Sequence, residues 1–578
     1  MARLLKWALA VYIAVMLVCI AGYVRYDSYG MDGDAVSFLD MSRYLQQGKP
    51  ELAVNGYWNP AYSVALAIGD WIARPARYNE LEVNYTVNAA IFVLALLAVS
   101  LFVRSLIGVR ESWGGRRYAL PQTGLTLLGS AMVFSFWLQE MSVARVRSDG
   151  LLLVFLIAAA GFGVRLLATR RWVYVLPLGL MMAGAYYTKS FGFVASAMLL
   201  GLLGTAALLP WGKNGVDEPG TAGRAKLLLP LGVAGLIFLA AIAPYIAGIS
   251  RQRNRFTFGD SSRLLYASMI NGAGSIHEAY SHEMGRATNQ LKHPERRILR
   301  EPDIYSYDQH LNGTVPIWFD PAWWHDKTTP HIDVRGQASM ILHDVKMSVR
   351  FLLLHSAPLA LLLLMGVLGY RLRLDRRVML FLVPMLWGVG MWFIYLVMQI
   401  QDRYIDAAYL VLLLPVFALL EAREELECEK SAGMQLAATA LVWMFAASFV
   451  ASALSVLTVE HGLIALQQFP GGWYDVNMQD TARGLAALGV NPGDRVACLG
   501  EAVCHYDPYW AYLTGVQLVA ELPDQAMPAV GGEQDSVMLA ALRSVRAKAI
   551  VAKYATSADA PQGWQRLGRS TYFARMVP

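Results

Sequence analysis

Long apolar runs separated by short basic clusters dominate the chain. Windows of roughly 18 or more mostly apolar residues recur along it, each long enough to cross a hydrocarbon core of about 30 Å as a helix. Of 578 residues, 56% are hydrophobic and only 16% charged, whereas a soluble domain carries about 25% charged residues. The surplus apolar side chains must face lipid. The first run, "WALAVYIAVMLVCIAGYV", is too long for a removable signal peptide and lacks a small-residue cleavage site. It is read as a retained helix, and the chain as a polytopic integral membrane protein.

Spans are expected near 5–24, 81–104, 120–138, 150–168, 172–188, 191–209, 227–249, 349–370, 378–399, 404–420 and 434–458, eleven in all. The net charge of +6 lies in clusters such as "RLLATRR" and "RLRLDRR" between the spans, which argues against a nucleic-acid partner. Each cluster follows an even-numbered span, and Arg3 and Lys6 share their side. The positive-inside bias makes that side cytoplasmic. Residues 25–80, 250–348 and 460–578 then face outward, and the chain keeps its bulk on that outer side.

The division expected is a transmembrane domain over 1–459, holding the outer loops 25–80 and 250–348, and a small outer α/β domain over 460–578. In the latter, helix-like and strand-like stretches alternate at the spacing of βαβ units, predicting a mainly parallel sheet. The glycines of "GDRVACLG" do not form a dinucleotide fingerprint. Cys498 and Cys504 lie six apart in an oxidising compartment that permits a disulfide, but spacing alone does not bring their Cα atoms together.

The first outer loop reads "MDGDAVSFLDMSRYLQQGKPELAVNGYWNP". A helix over 35–47 would align Asp34, Phe38, Met41 and Leu45 on one face, and such a helix is expected to lie in the interface with that face in the headgroup boundary. Asp34 is a good N-cap residue; a capping carboxylate stays ionised and can also serve as a base. At the outer ends of the spans stand Arg145, Arg147 and Asp149, then Lys189, then Asp402, Arg403 and Tyr404. Charges at that depth pair with one another or mark a substrate path, and Arg and Lys together suit a phosphate. Trp318, Trp323 and Trp324 are interfacial anchors or platforms for a sugar ring. His325 and His331, with Asp320, Asp326 and Asp333, match no familiar ligand spacing.

Taken together these residues resemble the GT-C superfamily of polytopic glycosyltransferases, in the branch holding protein O-mannosyltransferases, lipid A aminoarabinose transferases and rhizobial lipopolysaccharide sugar transferases. The likeness rests on "DGDAVSFLDMSRYLQQG…GYWNPAYSVAL", on "GAYYTKSFGF" and on "QDRYIDAAYLVLLLP". It implies an inverting transferase in a bacterial inner membrane, with the C-terminal domain periplasmic. The donor would be a polyprenyl-phosphate sugar, and the acceptor a hydroxyl on a cell-envelope glycan, lipid or protein. By the resemblance the general base is Asp34, with Asp32 as the alternative, since Ala35 stands where many relatives carry Glu. The phosphate cradle would be Lys189 and Arg403, with Arg145 or Arg147. Tyr57, Trp58, Asn59, Tyr404, Trp318 and Trp323 would contact substrate. Some relatives bind a divalent metal and others none, so no cofactor is assigned. A flippase for lipid-linked glycans and a non-catalytic membrane-anchored binding protein are the competing classes.

Overall fold

The computed structural model describes residues 2–26, 31–111, 118–141, 143–209, 226–272, 293, 296–326, 328–372, 378–422, 428–465, 476–523, 525–554 and 559–578. In chain order its helices are α1 (Ala2–Tyr26), α2 (Gly33–Gln46), α3 (Ala61–Ala73), α4 (Glu80–Glu111), α5 (Gln122–Phe136), α6 (Asp149–Thr169), α7 (Val175–Thr188) and α8 (Phe191–Leu208). There follow α9 (Leu228–Arg253), α10 (Ser261–Met269), α11 (Val334–Leu354), α12 (Ala357–Val367), α13 (Met379–Leu396), α14 (Asp402–Leu419), α15 (Cys428–Ala465), α16 (Val476–Ala487), α17 (Tyr509–Thr514) and α18 (Glu533–Ser544).

Among the described residues seven helices are long and apolar enough to span a membrane, namely α1, α4, α6, α8, α9, α13 and α15. An eighth appears if α11 and α12, bent by 64° where they meet, form one broken span. The other segments of the expected eleven are helical but fall short. Helices α5 and α7 have 15 and 14 residues, and α14 carries Asp402, Arg403 and Asp406. Length and composition therefore support fewer spans than the sequence suggested. Much of the basic charge behind the expected orientation falls at 112–117, 210–225, 373–377 and 423–427, outside the described residues.

Lipid offers no hydrophobic drive between helices, so packing and interhelical hydrogen bonds must join them, at about 0.6–2 kcal/mol per bond. Buried aromatic and amide groups supply such bonds. Trp387 of α13 donates to the carbonyl of Ala195 in α8 at 2.8 Å, and Tyr187 of α7 to Ala241 in α9 at 2.7 Å. Tyr62 of α3 donates to the Asn88 Oδ1 of α4 at 2.7 Å.

The strands are β1 (Arg296–Arg300), β2 (Asp303–Ser306), β3 (Tyr370–Leu372), β4 (Leu420–Ala422), β5 (Arg495–Leu499), β6 (Gln517–Leu522), β7 (Ala547–Lys553), β8 (Gln565–Arg566) and β9 (Tyr572–Met576). Seven form one sheet in the order β1-β2-β6-β5-β7-β9-β8. Its centre, β6-β5-β7, is parallel as the βαβ pattern predicts, and its flanks are antiparallel. The sheet is not confined to 460–578, because β1 and β2 come from the large outer loop. Cys498 and Cys504 are joined, with Cα atoms 5.5 Å apart.

Helix α2 does not lie in a headgroup layer. Its residues Gly33 and Ala35–Ser42 are buried, covered by the outer-loop segment around 313–319 and by α3. Thr314 donates from its backbone N–H (2.6 Å) and its hydroxyl (2.9 Å) to Asp40. Phe38 meets Trp58 and Tyr62 edge-on, at 5.3 Å each. Helix α3, by contrast, exposes an apolar stripe through Val64, Ile68, Trp71 and Ile72, as an interfacial helix does toward lipid.

Candidate active site at the ends of the helices

Three chain breaks and the first turn of α2 meet around one cavity of about 510 Å³. Asp34 comes from α2, Arg147 and Asp149 from the entry to α6, Lys189 from the α7–α8 turn, and Arg403 and Tyr404 from the start of α14. The α7–α8 turn is tight: Lys189 is extended (φ −150°, ψ 143°) and α8 begins two residues later. A Cβ on Gly192 would fall 2.2 Å from the carbonyl carbon of Ala185, so only glycine permits the closure that presents Lys189.

The charges are arranged around Asp149. Its Oδ1 lies 2.5 Å from Lys189 Nζ and its Oδ2 3.4 Å from Arg403 Nε. Lys189 and Arg403 also stand over the Tyr404 ring, at 4.4 and 5.2 Å from its centroid, a contact attractive to any cation. One buried carboxylate thus holds two cations side by side. With Arg147 the cavity wall carries three cations against Asp34 and Asp149, and Asp32 pairs with Arg147 beside it, so the cations are gathered on one wall without a net excess of charge. Phe191, Leu265, Met269, Ile394 and Met398 make the same wall partly apolar.

The cap of α2 and the carboxylate in the cavity wall are two different residues. Asp32 is the N-cap of α2: its Oδ1 accepts the Ala35 N–H at 3.0 Å, and its Oδ2 meets Arg147 at 3.2 Å. Asp34 is one step inside the helix and lines the cavity. Trp318 Nε1–H donates to Asp34 Oδ1 at 2.8 Å, Asp34's only hydrogen bond among the described residues. Asp34 is therefore not held ionised by capping. Burial pushes its carboxyl up to about 6, and the nearby Asp32 charge adds to the rise, while the Trp318 bond, Arg403 and Arg147 oppose it. It is ionised at neutral pH with a proton affinity suited to a base.

Of the other residues singled out from sequence, Tyr57, Trp58, Asn59 and Tyr404 line the cavity. Asn59 is fixed by donation to the Tyr186 carbonyl at 2.8 Å. Trp318 does not line the cavity; it meets the wall through Asp34 and through Trp58, whose Nε1–H donates to the Trp318 carbonyl at 3.1 Å. Trp323 is elsewhere, stacked between His293 and His310 at 3.7 and 4.2 Å. Arg145 does not line the cavity; it borders a separate void of about 10 Å³ shared with Asn88 and Trp137. Arg147 pairs with Asp32, and Asp149 with Lys189 and Arg403. The loop acids are engaged apart from one another: Asp320 with Arg253 and His310, and Asp333 as the cap of α11. Among the described residues no three His, Cys, Asp or Glu side chains converge as a metal site. Sequence reasoning passed over Ser190, Ser261, Ser262, Gln399 and Gln401, which supply neutral hydrogen-bonding groups to the wall; no spacing rule marks them.

A larger cavity, about 1360 Å³, borders the other end of α2, between α3 and the C-terminal domain. Its ionisable groups close on neutral partners. Arg43 lies 3.7 Å over the Tyr512 ring, Tyr512 donates to Glu80 at 2.6 Å, and Gln46 donates to Asp70 at 2.8 Å. Size and chemistry part company here, and the clustered cations and the base-like carboxyl belong to the smaller cavity.

No protein-family model matches the chain, and no curated protein is significantly similar to it. Among solved structures it is similar to the crystal structure of ArnT from Cupriavidus metallidurans in the apo state, with 11% identity and a TM-score of 0.48 over 98% of both chains. It is likewise similar to the crystal structure of ArnT from the same organism bound to undecaprenyl phosphate. That match has 12% identity and a TM-score of 0.47, over 98% of this chain and 96% of the other.

Proposed function

We propose that the chain is a membrane glycosyltransferase that moves a sugar from a polyprenyl-phosphate donor to an acceptor hydroxyl. The reaction would take place at the outer face of the inner membrane, with Asp34 as general base. One observation carries this reading: a carboxyl pushed up to about 6 shares a partly apolar cavity with Lys189, Arg403 and Arg147. A hydroxyl is a poor nucleophile until a base takes its proton. Asp34 receives that proton as the acceptor oxygen bonds to the sugar's anomeric carbon. The bond from that carbon to the phosphate oxygen breaks, and its electron pair leaves with the polyprenyl phosphate. A single displacement of this kind inverts the anomeric centre. Lys189 and Arg403 stabilise the charge that grows on the departing phosphate, which counts for more where water is scarce. The apolar wall receives the start of the prenyl chain. Tyr57, Trp58 and Tyr404 offer faces to the sugar ring.

The test is transfer of labelled sugar from polyprenyl-phosphate donors by purified protein in detergent or nanodiscs. Wild type should transfer, Asp34→Asn should not, and Asp32→Asn should retain transfer with reduced helix stability. Movement of the donor across the bilayer without transfer would overturn the reading in favour of a flippase.

A further inference from the structure

The C-terminal domain reaches the candidate site through one buried pair. His505 Nε2 lies 2.9 Å from both carboxyl oxygens of Glu521, and the side chains are 2% and 0% exposed. His505 follows β5, directly after the segment closed by the Cys498–Cys504 disulfide, and Glu521 sits near the carboxyl end of β6. Strand β5 lies between β6 and β7, so the strand order reverses there. The crevice outside the carboxyl ends of such strands is where open α/β sheets hold ligands. Here His505 occupies that end of the sheet and packs on Trp318, ring centroids 5.6 Å apart and tilted by 34°. Trp318 in turn donates its only side-chain proton to Asp34. The approach is close: a Cβ on Gly33 would lie 2.3 Å from the indole. The strip of chain bearing Trp318 is itself tied to β6, since Leu518 donates to Thr314 at 2.9 Å and Tyr307 to Val519 at 3.1 Å.

We infer that His505, fixed by Glu521, is a positioning residue for the transfer reaction: it sets the plane of the Trp318 indole, whose N–H turns the Asp34 carboxylate toward the acceptor. An indole has one donor in a fixed direction, so a tilt of its ring moves the hydrogen bond off the carboxylate. Aromatic packing on His505 opposes that tilt, and a carboxylate gripping one imidazole nitrogen with both oxygens opposes rotation of His505 in turn. The C-terminal domain would then form part of the site although none of its described residues lines the cavity wall.

This inference rests on the proposed base role of Asp34, and its experiment separates the two. Transfer is measured as kcat and KM across pH 5–8 for wild type, Trp318→Phe, His505→Leu and the double variant. In parallel the Asp34 carboxyl is titrated by infrared difference spectroscopy against Asp34→Asn, a readout that needs no turnover. The charged and titratable groups facing Asp34 are Asp32, Arg147, Arg403 and Tyr57, and all four are left in place. Trp318→Phe should lower kcat on the order of 10–100-fold, with donor KM within about 2-fold, and should move the Asp34 titration upward, because a donor to its ionised form is lost. His505→Leu should shift both in the same direction by a smaller amount, and the double variant should be no worse than Trp318→Phe alone. If His505→Leu does not accumulate as folded protein, His505→Gln, which keeps a donor toward Glu521, carries the same expectation. An unchanged Asp34 titration in a folded His505 variant, or effects that simply add, would overturn the inference. Absent transfer in wild type would overturn the proposed function, while the infrared titration would still test the coupling.

Discussion

The two ends of α2 carry the same kinds of residue and use them differently. At the C-terminal end, Arg43 stacks on Tyr512, Glu80 accepts from Tyr512 and Asp40 accepts twice from Thr314. The partners there are neutral donors and a ring, and each bond ties α2 or α4 to a distant part of the chain. At the N-terminal end, Lys189 and Arg403 lean on one shared carboxylate, Asp149, Arg147 leans on Asp32, and a further carboxylate, Asp34, keeps a side open to the cavity. Charged residues satisfied by neutral partners act as struts. Charged residues gathered around open space, with one acid left short of partners, form a place for an anion and a proton. Cavity volume alone points to the other end.

The comparison breaks most plainly at the acids. Asp34→Asn should cut transfer on the order of 10²–10⁴-fold, the usual worth of a general base. Its stability effect should run the other way. The carboxyl's pKa is raised in the fold, so its ionised form weighs against folding above about 6. At pH 7.5 the Asn variant should thus match or slightly exceed wild type in Tm. Tyr512→Phe should show the reverse pattern, leaving turnover within a few-fold. It removes a buried donor from Glu80, at a cost of about 1–3 kcal/mol in chemical denaturation.

Next in size are the cations. Lys189→Met and Arg403→Gln should each lower kcat on the order of 10²-fold or more, as loss of one charge-stabilising group does. Each should also weaken binding of polyprenyl phosphate measured by thermal shift. The pH profile follows: transfer should fall about tenfold per unit below about 6 as Asp34 takes up its proton, and Asp32→Asn should keep that limb but move it to lower pH, because the neighbouring negative charge that helps raise Asp34 is lost. Arg145→Gln should have the smallest effect, within about 3-fold, because Arg145 lies off the cavity. A large loss there would mean that the cradle extends toward α4.

How far the sequence showed this depends on the range of each contact. Lys189, Arg403 and Asp34 were legible because polar residues at the ends of apolar runs are costly and conspicuous. Their arrangement around Asp149 was not, because Lys189 is 40 positions away from it in sequence. The burial of α2 was not legible either. An amphipathic pattern reads alike whether lipid or protein covers it, and here the cover includes Trp318, 284 positions from Asp34. In the C-terminal sheet the parallel core β5-β6-β7 followed from its helix–strand alternation. Strands β1 and β2 escaped because "RRILR" is charged and mostly exposed at an edge, with no alternation to mark it.

The most direct measurement of the central claim is single-turnover sugar transfer by wild type and Asp34→Asn, with polyprenyl-phosphate binding measured on the same preparations. The account requires Asp34→Asn to bind polyprenyl phosphate as wild type does and to form almost no product. Product formation at the wild-type rate by folded Asp34→Asn protein would contradict it.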